Sequence, residues 1–600
     1  MHGPFTTRPE LRGRQGAVSS THWLATAAGL RILDRGGNAF DAAVATGFVL
    51  QVVEPHLNGP GGEFPAIFHH ADSGETRVIC AQGVAPAAAD IAGFRAMGVT
   101  SIPGNGLLPV VVPGAFDGWM LMLRDYGSLT LREVLTPAIT YAAEGHPVLP
   151  RVSRTIGDLA GFFKEHWPTS YATWVPGGEV PAPWSYFKNP DLAATWTRLI
   201  AQAEAASETR EGQIEAARDI FYRGFVAEKI AAFLAEGPVM DESGAAHPGV
   251  LQASDLAAWR ASYEEPQSLE YEGWTVCKTG PWGQGPAFLQ ALQILKGRDL
   301  SAMDPLGAGF VHLVTEALKL VQADRDAYYG DPAFAEVPMT ALLSESYAAQ
   351  RLGQISETAS FDFRPGSLPG FEEQLAICGE VLRDLLGKGA VYEPTMAHLA
   401  ESEAKGRGDT CHLDVIDRFG NVVSVTPSGG WFQSSPVIPG LGFALSTRAQ
   451  MFWLTEGLPS SLAPGRRPRT TLTPSLAIHR DGRRFSFGTP GGDQQDQWQL
   501  PFFLRVAHHG MGLQQALDAP LFHNMHAPSS FAPRTSQPGR LVIEETFGAA
   551  EIEALRARGH DVEVVAPHSL GRLTAALREP DGSLRAAATP ASVQAYAMVF

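Results

Sequence analysis

The chain reads as a mixed α and β protein on two observations of periodicity. Apolar residues recur at helical spacing through much of the first 330 residues, and period-two alternation is concentrated after residue 410. With 600 residues, 44% hydrophobic and 18% charged, it is a folded globular chain about four ordinary domains long. A single large layered domain with insertions suits a sequence that has no internal repeat.

The elements follow in order. Residues 21–34, 39–53 and 131–144 carry apolar positions on helical faces, punctuated by Gly and Pro. Residues 165–190 are rich in Trp, Pro and Gly and read as an irregular loop packed by its aromatics. Helical patterning resumes at 191–206, 214–236 and 288–295, and 310–328 is the clearest long amphipathic helix. From about Gly379 to Gly408 the charge rises and the apolar period weakens, as in an exposed segment. Residues 411–417, a turn at 418–421 and residues 422–426 then form a hairpin, with Gly420 free to take positive φ. Strands return at 475–479 and 485–488, and a helix at 549–558 precedes more strands.

Composition excludes several functions. A formal charge of −17 without a basic stripe argues against nucleic acid, whose binding rests on many Lys and Arg contacts to phosphate. Cys80, Cys277, Cys378 and Cys411 have no CxxC or zinc-like spacing, so free thiols in a reducing compartment are expected. The first residues lack an apolar signal region, and no run of about eighteen apolar residues occurs, which predicts a soluble, cytoplasmic chain without membrane partners. His69-His70 and His508-His509 are adjacent pairs whose side chains diverge on either a strand or a helix, and no metal motif accompanies them.

The stretch Gly408-Asp409-Thr410-Cys411-His412-Leu413-Asp414-Val415 places a threonine at the head of a strand, just after a turn-forming Gly-Asp pair. Thr before alternating apolar residues is ordinary strand chemistry. Cut before Thr410, however, the same residue would supply a nucleophile and, through a freed α-amine titrating near roughly 7.7 to 8.0, its base.

The run Gly36-Gly37-Asn38-Ala39-Phe40-Asp41 followed by Gly59-Pro60-Gly61-Gly62 resembles the amino-terminal signature of the γ-glutamyltranspeptidase family of N-terminal-nucleophile hydrolases. The blocks from Val112 to Gly118, Ala323 to Pro332, Thr410 to Asn421, Arg467 to Pro474 and Gly488 to Gly492 are similar to that family's later motifs, in order. The resemblance implies an α+β four-layer αββα sandwich. It also implies a precursor cleaved between Asp409 and Thr410 into residues 1–409 and 410–600, acting on small-molecule amides with no cofactor and no metal.

Residue by residue, the resemblance implies Thr410 as nucleophile, Ser428 as its supporting hydroxyl, and Gly491 and Gly492 as donors to the oxyanion. Thr470 and Thr471 match a hydroxyl pair that holds a substrate carboxylate. Three features depart from the family. Its carboxylate-gripping arginine falls at Gln82, its amine-holding acid at Met451, and an asparagine of the hairpin at Gly430. An ammonium buried without a counter-charge costs several kcal/mol, so a glutamyl head group would sit badly here. Arg448, Arg469 and Arg95 could grip a carboxylate from another side or could be solvated surface residues. The segment 493–498 is similar to that of amidohydrolase-type relatives, and Gly280 to Gly285 reads as packing or pocket wall. The expected function is an amidase or acyltransferase like γ-glutamyltransferase, the enzyme of glutathione metabolism. The alternatives are a hydrolase of non-glutamyl amides, glutaryl or oxamate-like, and an uncleaved, silent relative that only binds.

Overall fold

The computed structural model describes residues 5–388, 410–532, 534–591 and 594–600. Two seven-stranded antiparallel sheets stack face to face, and helices cover both outer faces, giving the αββα sandwich. The first sheet runs Tyr596–Val599, Gly16–Ser20, Leu413–Asp417, Val422–Val425, Phe64–His69, Thr76–Ala81 and Ser262–Glu264. The second runs Leu11–Gly13, Leu584–Ala588, Thr574–Arg578, Arg484–Gly488, Ser475–His479, Trp274–Lys278 and Gln267–Tyr271.

Strand alternation decides the layering. Leu413 and Val415 point into the helical core formed with Ala39–Val53, whereas Ile416 and Val422 join Ala17, Ile67, Leu476 and Ala576 between the sheets. Each large apolar side chain sealed in these layers contributes about 1.5–3 kcal/mol. The inner layer is also polar at one point. Asp414 accepts from Ser424 Oγ and Thr574 Oγ1, both at 3.0 Å, and joins the two sheets beside the nucleophile strand.

The signature motifs are largely structural. Asn38 caps Ala39–Val53 through Phe40 and Asp41, and Asp41 in turn accepts from the amides of Ser128 and Leu129. Asp417, at the hairpin turn, accepts from Ala39 N at 2.9 Å, so the start of that helix is pinned to the hairpin. Asp117 forks onto Arg218, and Asp331 holds Arg467.

The helices read from periodicity are present, with three corrections, while others, among them Ala115–Tyr126, Pro150–His166 and Gln495–His509, were not read from the sequence. Residues 214–236 are two helices, Arg210–Arg223 and Phe225–Leu234, broken at Gly224. The aromatic stretch 165–190 holds a helix, Pro168–Trp174, begun by a proline at its first position. The first residues of the 379–408 segment belong to the helix Glu372–Lys388, and residues 389–408 lie outside the described residues. All four cysteines are free and buried, and among the described residues no helix is long and apolar enough to cross a membrane.

Candidate active site

The hairpin delivers Thr410 to the edge of the sandwich core. Just past the paired strands, Thr410 and Ser428 form an isolated antiparallel bridge, and their hydroxyl oxygens lie 3.2 Å apart, both buried. Ser428 lies beyond the second hairpin strand, which ends at Val425. The Gly59-Pro60-Gly61-Gly62 motif runs against this turn so closely that a Cβ on Gly59 would meet Gly430 O at 2.1 Å and one on Gly62 would meet Ser428 O at 2.2 Å. Glycine is required there by close approach. Asp409, the other half of the expected junction, lies outside the described residues.

Arg448 is not a solvated surface residue. Its side chain is about 1% exposed, its Nε donates to Glu63 Oε1 at 2.7 Å, and its Nη2 donates to Ser428 Oγ at 3.0 Å. Trp431 and Phe531 flank the guanidinium, 5.4 and 5.7 Å from their ring centres. Met451 lies beneath it, with Arg448 Nη1 3.6 Å from the thioether sulfur. Gln82 is also buried and donates to Gly83 O. Arg95, by contrast, stays at the surface and donates to Leu454 O. Glu63, which sequence reasoning missed, is the carboxylate of this corner, and Arg448 compensates it. The motif's Gly-Pro-Gly-Gly run offered the signal for it, since the next residue is placed by the same tight turn.

Gly491 and Gly492 adopt φ of +134° and +54° before the helix Gln495–His509. Among the described residues neither amide N–H has a hydrogen-bond partner, while Gly492 O accepts from Gln284 Nε2 at 3.3 Å. Gln284 belongs to the glycine-rich stretch read as pocket wall, and Gly283 bridges Thr470 in the same wall. A Cβ on Gly491 would lie 2.2 Å from the Trp498 ring. His523 packs edge-on against Trp498, and burial pushes its imidazole down to about 3. The folded state then refuses a proton that unfolded histidine accepts near its ordinary 6.5. The stability this contributes is complete above pH 6.5 and is lost as pH falls toward 3. Thermal melts of wild type and His523→Gln between pH 7 and 4 should show a shallower acid loss in the variant, and equal slopes would refute the assignment.

Thr470 and Thr471 are buried beside this wall, and Arg469, about 4% exposed, donates through Nη2 to Ser530 Oγ at 2.8 Å. Ser530, Asp493 and Arg325 were not read from sequence as site residues, because only the fold brings segments so distant in the chain together. His312, Glu316 and His560 also converge, with ligand-type atoms within 4.8 Å. Both His312 nitrogens are engaged, by His560 Nε2 and Ser356 O, and Lys319 and Arg364 ion-pair with Glu316, while His560 Nδ1 is buried without a hydrogen-bond partner among the described residues.

A family model described as Gamma-glutamyltranspeptidase matches residues 25–599. An oxamate amidohydrolase proenzyme from Klebsiella pneumoniae is 32% identical over 96% of this chain and 97% of its own. Two solved structures superpose closely. One, titled structure of LmbA2991HD, is 48% identical with a TM-score of 0.90, covering 99% of this chain and 100% of that one. The other, a cephalosporin acylase from Bacillus halodurans, is 28% identical with a TM-score of 0.82, covering 100% and 98%.

Proposed function

Because the chain belongs to the gamma-glutamyltranspeptidase family of N-terminal-nucleophile hydrolases, we propose that it is an autoprocessed amidohydrolase that uses Thr410 to cleave amides of simple dicarboxylic acids. The observation that carries this reading is the Ser428–Arg448–Glu63 arrangement around Thr410, with neutral Met451 and Gln82 in place of the family's charged pair. Relatives named for oxamate and cephalosporin substrates point the same way, toward amides other than γ-glutamyl ones.

In the precursor, Thr410 Oγ attacks the preceding carbonyl carbon, the C–N bond breaks to leave an ester and a free α-amine at Thr410, and water hydrolyses the ester, releasing the Asp409 carboxylate and restoring the Thr410 hydroxyl. In the mature enzyme that amine takes the hydroxyl proton as Oγ attacks the substrate carbonyl. Arg448 donates to Ser428 Oγ, 3.2 Å from Thr410 Oγ1, and once Thr410 has given up its proton the Ser428 hydroxyl is the donor of that pair, strengthened by polarisation from the guanidinium. The role assigned to Gly491 and Gly492 is donation from their amides, unpartnered among the described residues, to the oxyanion, each such donor lowering the barrier by about 3 kcal/mol. The amine leaves with a proton from the Thr410 ammonium, and water attacks the acyl-enzyme to regenerate the hydroxyl.

Specificity follows from charge. A γ-glutamyl donor must place an ammonium where Glu63, the carboxylate beside Ser428 and Arg448, is already held by a guanidinium at 2.6 Å. A glutaryl donor has no ammonium to place. The kcat/KM for a glutaryl anilide is expected to exceed that for the matching γ-glutamyl anilide, and a γ-glutamyl preference of about tenfold, roughly 1.4 kcal/mol, would falsify the assignment. Met451→Asp alone should restore little γ-glutamyl activity, because the new carboxylate would pair with Arg448. Partial recovery is expected in Arg448→Gln combined with Met451→Asp.

A further inference from the structure

Beneath the Gly491-Gly492 turn lies a buried charge cluster that the chemistry above does not use. Arg325 donates to Asp326 at 3.0 Å, to Gln284 at 3.0 Å and to Asp493 at 2.6 Å. Arg469 reaches Ser530 Oγ at 2.8 Å and Asp326 at 3.4 Å, and Ser530 Oγ donates to Asp493 at 2.6 Å. Arg534 donates to the carbonyls of Gln450 and Phe452, both at 2.9 Å, and stacks 4.0 Å from the centre of the Trp453 ring. All three guanidinium groups are buried.

The balance of charge here differs from that at Arg448. Glu63 matches Arg448 one for one, whereas here Arg325 and Arg469 pair with Asp326 and Asp493 and Arg534 holds only backbone carbonyls, so among these groups three guanidinium charges face two carboxylates. The hydrogen bonds are also incomplete. Arg469 Nη1, Arg325 Nη2 and Thr471 Oγ1 are buried with no hydrogen-bond partner among the described residues. Arg469 and Thr471 flank Thr470, which bridges Gly283 in the pocket wall. The cluster adjoins the reacting centre through one dipeptide. Ser530 accepts from Arg469, while the ring of Phe531 lies against Arg448 and comes within 3.2 Å of where a Cβ on Gly492 would sit. Burial, with repulsion from Arg325, lowers Arg469 to about 10, still protonated at neutral pH and with an environment that gains from a further negative charge.

We propose that Arg469, with Thr471 beside it, is the specificity-determining anchor for a carboxylate at the far end of the acyl donor, taking over from the neutral Gln82. A buried guanidinium with an unused N–H edge is suited to a carboxylate, because planar donor and acceptor meet with charge assistance. The substrate class is therefore an amide whose acyl group ends in a free acid. This rests on the amidohydrolase reading given above.

The test uses the processed full-length enzyme and two matched donors, glutaryl 4-nitroanilide and its monomethyl ester, which differ only in the terminal charge. Wild type is expected to favour the free acid by tenfold or more in kcat/KM. Arg469→Met should remove that preference mainly by raising KM for the acid, leaving the ester within about twofold, and Arg469→Lys should keep part of it. Equal use of both donors by wild type overturns the proposal, as does an Arg469→Met enzyme that loses both activities alike. Should Arg469→Met fail to fold, the wild-type preference and a rise in wild-type Tm with glutarate but not with equal chloride decide the matter, and absence of either overturns it. Failure of the amidohydrolase reading is distinct, since no simple amide would then be turned over at all.

Discussion

Thr410→Ala is expected to remain a single chain of 600 residues and to lose turnover by at least about three orders of magnitude, while wild type runs as two fragments. The substitution removes the hydroxyl that both opens the precursor and attacks substrate, and it leaves the bridge to Ser428, a main-chain pairing, intact. Sequencing of the smaller wild-type fragment should begin at Thr410 and give residues 410–600, 191 in number. A start elsewhere, or a cleaved and active Thr410→Ala protein, sinks the assignment. A wild-type protein that never cleaves would instead favour a silent binding role.

The second large effect concerns the two glycines. Gly492→Val introduces a β-branched side chain at φ +54°, against the Phe531 ring, and should leave a folded, cleaved enzyme with kcat lower by about 10²-fold because its amide is displaced from the oxyanion. Gly491→Ala should be worse for the fold itself, since its methyl overlaps the buried Trp498 ring at 2.2 Å and the residue sits at φ +134°. Melting curves rank the two: both lose Tm to a side chain at positive φ, and Gly491→Ala, whose methyl also meets the Trp498 ring, is expected to lose more. Unchanged turnover in folded, cleaved Gly492→Val would remove that residue from catalysis.

Much of this was legible in the chain. The hairpin that carries Thr410 shows its period of two plainly, and the helices at Ala39–Val53 and Ala308–Tyr328, though buried on nearly every side, are long enough for their apolar residues to recur over several turns. The break at Gly224 was hidden because the apolar period continues across it. The charges of the site were less legible. Arg448 and Arg469 look like surface residues in sequence, and only the fold shows that partners 385 and 143 residues away, Glu63 and Asp326, accompany them into the interior. The motif acids Asp41, Asp117 and Asp331 serve as caps and ties.

The strand order of the first sheet has a consequence for how the mature protein comes apart. Gly16–Ser20 lies between Tyr596–Val599 and Leu413–Asp417, and Val422–Val425 is bonded to Phe64–His69, so strands from both sides of residue 410 alternate across one sheet. A nick before Thr410 would make two polypeptides with no surface along which they could part. Such a heterodimer should dissociate only by unfolding. Its melting temperature should then be insensitive to dilution under rapid heating, while recovery from the separated chains should become a second-order process that slows with every dilution. The proenzyme, refolding as one molecule, should be indifferent to concentration.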